Sequence, residues 1–205
     1  MKAEELINAI EDHNISILAK LLKNGADPNL GLPHHPTSLP LHIAVEEISE
    51  GCSIEAAALL LKYGANPDGN KDERSATPLI LATTHKLKDL ILMLLCAGAN
   101  PNFISEEGAS PLRIAVEQSY IEIIPILLRF GAIDSINDLR LYSGMTVLGL
   151  AVSKLNIPVI KLLLAANANP LILDDYNQTA FEHLPPRDIN PIDWDEAMNL
   201  LSTAS

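Results

Sequence analysis

The chain has 205 residues, 48% hydrophobic but only 4% aromatic, and its 26 acidic against 14 basic side chains give a formal charge of −12. That balance excludes nucleic-acid binding as a primary role, because affinity for a phosphate backbone rests on neutralising it with Lys and Arg. The apolar runs are all shorter than the roughly 20 residues a membrane-spanning helix needs, so no membrane insertion is expected. Few aromatics and many small or branched side chains suit instead a core packed in layers.

In chain order, residues 1–29 open with an acidic Met1-Lys2-Ala3-Glu4-Glu5 that lacks an apolar run before a small-residue cleavage site. A secretory signal is therefore not expected, and a cytoplasmic setting is. Leu6, Ile7, Ala9 and Ile10 then fall at helical spacing, followed by apolar pairs at 17–18 and 21–22 and the phrase Gly25-Ala26-Asp27-Pro28-Asn29. That phrase returns as Gly64-Ala65-Asn66-Pro67-Asp68, Gly98-Ala99-Asn100-Pro101-Asn102, Gly131-Ala132-Ile133-Asp134 and Asn167-Ala168-Asn169-Pro170, at spacings of 39, 34, 33 and 36. A second phrase keeps phase with it: Leu39-Pro40-Leu41-His42-Ile43-Ala44, Thr77-Pro78-Leu79-Ile80-Leu81-Ala82, Ser110-Pro111-Leu112-Arg113-Ile114-Ala115 and Thr146-Val147-Leu148-Gly149-Leu150-Ala151, with a fifth start at Thr179-Ala180-Phe181. One structural unit stacked on itself gives such a pattern, with insertions in the connections.

Within each unit the apolar runs over 57–61, 90–95, 123–128 and 159–164 are read as second helices. Between the phrases Ser and Thr supply N-caps, Pro at the first helical position costs nothing by its missing N–H, and Gly, with Asn in its place at 167, ends the second helix in the left-handed conformation. The distance from Leu39 to Gly64 exceeds its counterparts by four residues, placing an insertion around 48–53. Pro158 falls at a helix start, whereas Pro125 is expected about one turn inside a helix beginning near Ile121 and should bend it. Pro185-Pro186 should stop the helix begun at Thr179, and 193–201 reads as a short closing helix with Trp194 as its anchor.

The two phrases resemble the ankyrin repeat family, whose repeats carry Thr-Pro-Leu-His-x-Ala in the first helix and Leu-Leu-x-x-Gly-Ala-Asp-x-Asn at the end of the second. The resemblance covers nearly the whole chain, although only His42 keeps the family's His; Ile80, Arg113 and Gly149 replace it. It implies an all-α solenoid of helix-turn-helix pairs joined by hairpin-like loops. The expected layout is a single repeat domain over 1–205, with a capping repeat at 1–29, repeats at 30–68, 69–102, 103–135 and 136–171, and a truncated closing repeat at 172–205.

The family binds proteins on a concave face built from hairpin tips and from the two residues after the Ala pair of each first helix. Mapped by phase, those helix positions are Glu11 and Asp12, Glu46 and Glu47, Thr84 and His85, Glu117 and Gln118, and Ser153 and Lys154. The tips add Asp72, Glu73, Glu106, Glu107, Asp174 and Asp175, against the basic Arg74 and Arg140. Carboxylates aligned by phase focus a negative field that favours a basic partner and speeds its encounter. Phe103, Tyr142, Leu173 and Tyr176 fall in the connections, where Tyr offers rigid area with a polar end. The expected partner-binding set is Glu46, Glu47, His85, Glu117, Gln118, Tyr142 and Tyr176, on a monomer without cofactors.

Catalytic chemistry finds little support. No Gly-rich phosphate loop or Gly-x-Ser-x-Gly elbow occurs, and no oriented His is identifiable for either Cys. His34, His35 and His42 lack an acid or Cys to complete a metal set, and Cys52 and Cys96 are expected as free thiols. The chain is thus read as a non-catalytic module for a basic protein partner. Alternatives are an inhibitor of a partner enzyme, a bacterial effector delivered to a host cytosol, and a substrate of the asparagine hydroxylases that act on ankyrin hairpins, here at Asn29 and Asn102.

Overall fold

A computed structural model describes residues 2–31, 39–69, 76–139 and 144–204. Among these the backbone is helical throughout its regular parts, with no strand. Two compact units divide the chain, Met1–Asn100 and Pro101–Ser205. The first holds α1 (Lys2–Glu11), α2 (Ile15–Lys23), α3 (Pro40–Ser49), α4 (Glu55–Lys62), α5 (Pro78–Thr84) and α6 (Lys88–Cys96). The second holds α7 (Pro111–Glu117), α8 (Ile124–Arg129), α9 (Val147–Ser153), α10 (Ile157–Ala165) and α11 (Pro191–Thr203), with 3₁₀ turns at Ala132–Ser135 and Ala180–His183.

Local chemistry starts these helices where the residues dictate. The hydroxyls of Thr77, Ser110 and Thr146 accept from the amides of Ile80, Arg113 and Gly149 at 3.3, 3.2 and 3.0 Å, satisfying one of the otherwise orphaned N–H groups of each first turn. Asn14, Asn156 and Asn190 do the same for α2, α10 and α11. Four of the helix pairs then close through a backbone bond to one recurrent alanine: Ala9, Ala82, Ala115 and Ala151 accept from the amides of Asn14, Leu87, Tyr120 and Asn156. The residue before each donor takes a left-handed turn, His13, Lys86, Ser119 and Leu155 at φ 53, 57, 53 and 48.

Two rows of helices stack within each unit. In the first, α1, α3 and α5 lie side by side and α2 packs on α4; in the second, α7 lies on α9, α8 on α10, and α10 on α11. Ala44, Ala82, Ala115 and Ala151 are 0% exposed, as are Leu6, Leu18, Leu60, Leu79, Leu112, Leu127 and Leu163. The alanine methyls let first helices approach closely while leucines fill the space behind them. His42 closes one junction: its Nε2 lies 3.2 Å from the Ala76 carbonyl, its Nδ1 has no partner, and burial holds its pKa below the ordinary range despite that carbonyl. Gly69, at φ +73, makes room for the ring, since a Cβ there would fall 2.2 Å from His42 Cε1.

Four expectations are corrected. Pro125 does not bend a helix: residues 121–123 form a turn and α8 begins at Ile124, so the proline sits in the first turn where its missing N–H costs nothing. The insertion at 48–53 is partly helical, because α3 has 10 residues where α5, α7 and α9 have 7. Its pair closes at Glu47, whose carbonyl accepts from the Cys52 amide, instead of at Ala44. The segment begun at Thr179 makes only a 3₁₀ turn, while the closing helix α11 has 13 residues, longer than any other described helix.

Trp194 anchors the closing helix as expected. Its indole N–H donates to the Pro185 carbonyl at 3.0 Å, and the Arg187 guanidinium lies 5.7 Å from the ring centroid while bonding Asp195 through both Nε and Nη2. The buried alanines carry a direct consequence. Ala115→Leu should overpack the row of first helices and cost about 1–3 kcal/mol in denaturant unfolding, whereas Glu117→Gln, on the exposed end of α7, should leave stability within about 0.5 kcal/mol.

Candidate partner-binding surface

The bases of the hairpins are joined by side chains that reach from one repeat to the backbone of the next. In the first unit, Asn29 accepts from the Asn66 amide at 2.7 Å and donates to the Gly64 carbonyl at 2.9 Å, and Asp68 accepts from the Asn100 amide at 2.7 Å. In the second, Asn102 donates to the Gly131 carbonyl at 2.8 Å and Asn137 accepts from the Asn169 amide at 2.9 Å. Asn29, Asp68 and Asn102 each stand four residues after the helix-ending glycine. The last residue of the repeated phrase is thus a bridge as well as a turn former.

On this frame the first unit places Glu11, Asp12, Glu46, Thr84 and His85 at exposed ends of first helices. Glu47 differs from its neighbours, being half-buried beside His13 and Cys52, with its Oε2 3.7 Å from His13 Nε2. In the second unit Glu117 is exposed and Gln118 half-buried. Lys154, the basic member of the series, donates to the Glu117 main-chain carbonyl at 2.6 Å and brings a positive charge beside that end of α7. Next to it an open groove of about 500 Å³ runs between the loop at Glu107, Gly108 and Ala109 and the α7 residues Arg113, Ile114 and Glu117. Its described lining holds two acids, Glu107 from the loop and Glu117 from α7, and one cation, Arg113.

The tip residues divide more sharply than their types suggest. Tyr176 and Leu173 are exposed, at 68% and 53%, while Phe103 is half-buried. Tyr142, Asp72, Glu73, Arg74 and Arg140 lie outside the described residues, as do His34 and His35. Asp174 is the correction here: expected as an exposed tip acid, it is buried, because its carboxylate accepts from the Tyr176 and Gln178 amides at 2.8 and 2.9 Å and from His183 Nε2 at 2.7 Å. Burial alone would raise its pKa; the bonds from Gln178, Tyr176 and His183 outweigh that and hold it below the usual carboxylate range. Gly149 admits the imidazole, since a Cβ there would meet His183 Cδ2 at 3.0 Å. The spacing of Asp174 to Gln178 and His183 was a signal for this pin, hidden among the other acidic loop residues.

The same repeat architecture is found in known proteins. A model of ankyrin repeats in three copies matches residues 6–105 and 88–174. The chain belongs to the ankyrin repeat family. Putative ankyrin repeat protein FPV014 of fowlpox virus is 32% identical over 166 residues, 80% of this chain and 36% of that protein. Human transient receptor potential cation channel subfamily A member 1 is 32% identical over 123 residues, 60% of this chain but 10% of the channel subunit. The chain thus spans well under half the length of these relatives. An ankyrin repeat domain from Acinetobacter baumannii superposes with a TM-score of 0.80 at 24% identity, covering 97% of this chain and 96% of the other, which is a likeness of fold.

Ankyrin repeats are in general protein–protein interaction modules, and among the described residues no helix is long and apolar enough to cross a membrane. The Asp174 pin, which sets the loop bearing Tyr176, yields a test. Asp174→Ala should destabilise the chain by about 1–3 kcal/mol, since two amides and an imidazole lose their acceptor. A folded pKa below the unfolded one means that the unfolded state binds the proton first. The carboxylate's contribution is therefore complete above the ordinary value near pH 4 and is lost as pH falls through the lower folded value. Urea unfolding of wild type and Asp174→Asn should show a gap that narrows below about pH 4.

Proposed function

We propose that this ankyrin repeat chain is a non-catalytic module that receives a partner protein with a basic surface. Contacts are assigned to the exposed ends of its first helices and its hairpin tips. The groove beside α7 is the observation that carries this, because Glu107 and Glu117 line it together with Ala109, Ile114 and the one cation of its described lining, Arg113, a setting with a net negative charge for a Lys or Arg side chain whose stem packs on apolar surface. Glu46 and His85 in the first unit, and Gln118 in the second, extend the contact set within their own units. Glu47, turned toward His13, contributes mainly through its charge. Tyr176 supplies an aromatic anchor on a loop already fixed by Asp174, so little conformational freedom is lost on contact. Tyr142 is retained in the set from its place in the sequence.

Asn29 and Asn102 are engaged in bridges between hairpins, which favours a structural over a modification role for them. The fowlpox relative is compatible with action inside a host cell, the alternative setting for the same binding chemistry. Mass spectrometry of proteins captured on the wild-type chain from cell extract separates a stoichiometric partner, an inhibited enzyme and a hydroxylated asparagine.

With the captured partner, Glu46→Lys, Glu107→Lys and Glu117→Lys together should slow association tenfold or more while dissociation changes little, because exposed charges act through a field screened over about 8 Å at physiological salt. Added salt should weaken the wild type more than the reversed variant. Tyr176→Ala should instead raise the dissociation rate, as loss of a desolvated anchor does. Binding insensitive to all four positions would move the site to the second helices.

A further inference from the structure

The insertion that lengthens α3 brings together three side chains that the linear sequence separates widely. His13 stands in the left-handed turn between α1 and α2, Glu47 near the end of α3, and Cys52 just after Gly51, in the loop leading to α4. Cys52 Sγ lies 3.4 Å from His13 Nε2 and 3.9 Å from Glu47 Oε2, and the latter two atoms are 3.7 Å apart. A tetrahedral zinc ion with ordinary bonds to sulfur, nitrogen and oxygen requires separations of about 3.3–3.6 Å between its ligand atoms. Movements of a few tenths of an ångström, within reach of small rotations of the exposed His13 and the half-buried Glu47 and Cys52 side chains, would therefore centre an ion among them. Beside the triad is a small cavity of about 40 Å³ walled by Ile10, Ile15 and Ala56, enough for one water as a fourth ligand.

The place is particular to this repeat. At the corresponding junction of the second unit, Asn156 donates to the Ser119 hydroxyl at 2.7 Å and closes the turn with a neutral hydrogen bond. At the insertion, closure moves from the alanine to Glu47, and the Cys52 amide that bonds the Glu47 carbonyl also carries the thiol to His13.

We propose that His13, Glu47 and Cys52 form a three-ligand site for a divalent cation of the zinc class, joining the first two repeats. Thiolate, imidazole and carboxylate suit such a borderline-soft ion, and the remaining position stays open to water or a small ligand. Burial, with Glu47 and Glu50 adjacent, pushes the Cys52 thiol pKa up, so the free site holds S–H. Coordination replaces the S–H bond by a sulfur–metal bond and releases that proton to solvent.

The test is titration of tag-free, reduced protein with Co²⁺, followed by displacement with Zn²⁺. The expected result is one Co²⁺ per chain with a thiolate-to-metal absorption band, abolished by Zn²⁺, retained in Cys96→Ser and absent in Cys52→Ser. His13→Ala should weaken Zn²⁺ at least tenfold in competition against a chromophoric chelator. Circular dichroism reports whether each variant folds, and the wild-type spectrum decides even if one does not. Absence of a thiolate band in the wild type, or its persistence in folded Cys52→Ser, would overturn the site.

Discussion

Helix pairs of this size cannot bury their apolar faces alone, so the structure depends on how each repeat finds the backbone of the next. One amide or carboxylate does this at the end of each described hairpin, where Asn29, Asp68, Asn102 and Asn137 reach the following repeat at 2.7–2.9 Å. A bond to main chain tolerates any side chain on the repeat it reaches. It therefore fixes register without restricting the residues that face a partner. The alanines answer the same constraint from the core, since their carbonyls close the helix pairs while their methyls set the approach of neighbouring first helices. Both devices leave the first-helix ends and the described loops at 105–109 and 173–178 free to carry charge and aromatic area.

Much of this frame is legible in the residues because it rests on local rules. Thr77, Ser110 and Thr146 cap helices wherever they precede an apolar run, and the helix-ending glycines Gly25, Gly64, Gly98 and Gly131 all take positive φ. Pro125 escaped because its effect depends on where the helix begins, which its own lack of an N–H decides. The left-handed turns at His13, Lys86, Ser119 and Leu155 also gave no signal, since they are imposed by closure onto the alanine carbonyl and not by the residue type.

The candidate surface was legible by phase and obscured by contact. Glu46, His85 and Glu117 are exposed where the repeat period puts them. Asp174 and Glu47 have the same composition as their exposed neighbours but are turned inward by His183 and by His13 with Cys52, partners that only folding brings near. At Cys52 the length of the insertion is legible but its form is not: extra residues taken up as helix shift the following turn along the chain, and with it every side chain that turn presents.

In the proposed function, a frame of bridged hairpins presents the proposed contact residues already in place, on first-helix ends and on the loop that carries Tyr176. Amide hydrogen exchange, compared between the free chain and its complex with the captured partner, tests this most directly. It predicts slowed exchange on binding over 105–118 and 174–178, with α4, α8 and α10 unchanged. Protection confined to those second helices, with the groove beside α7 left as open to exchange as in the free chain, would contradict it.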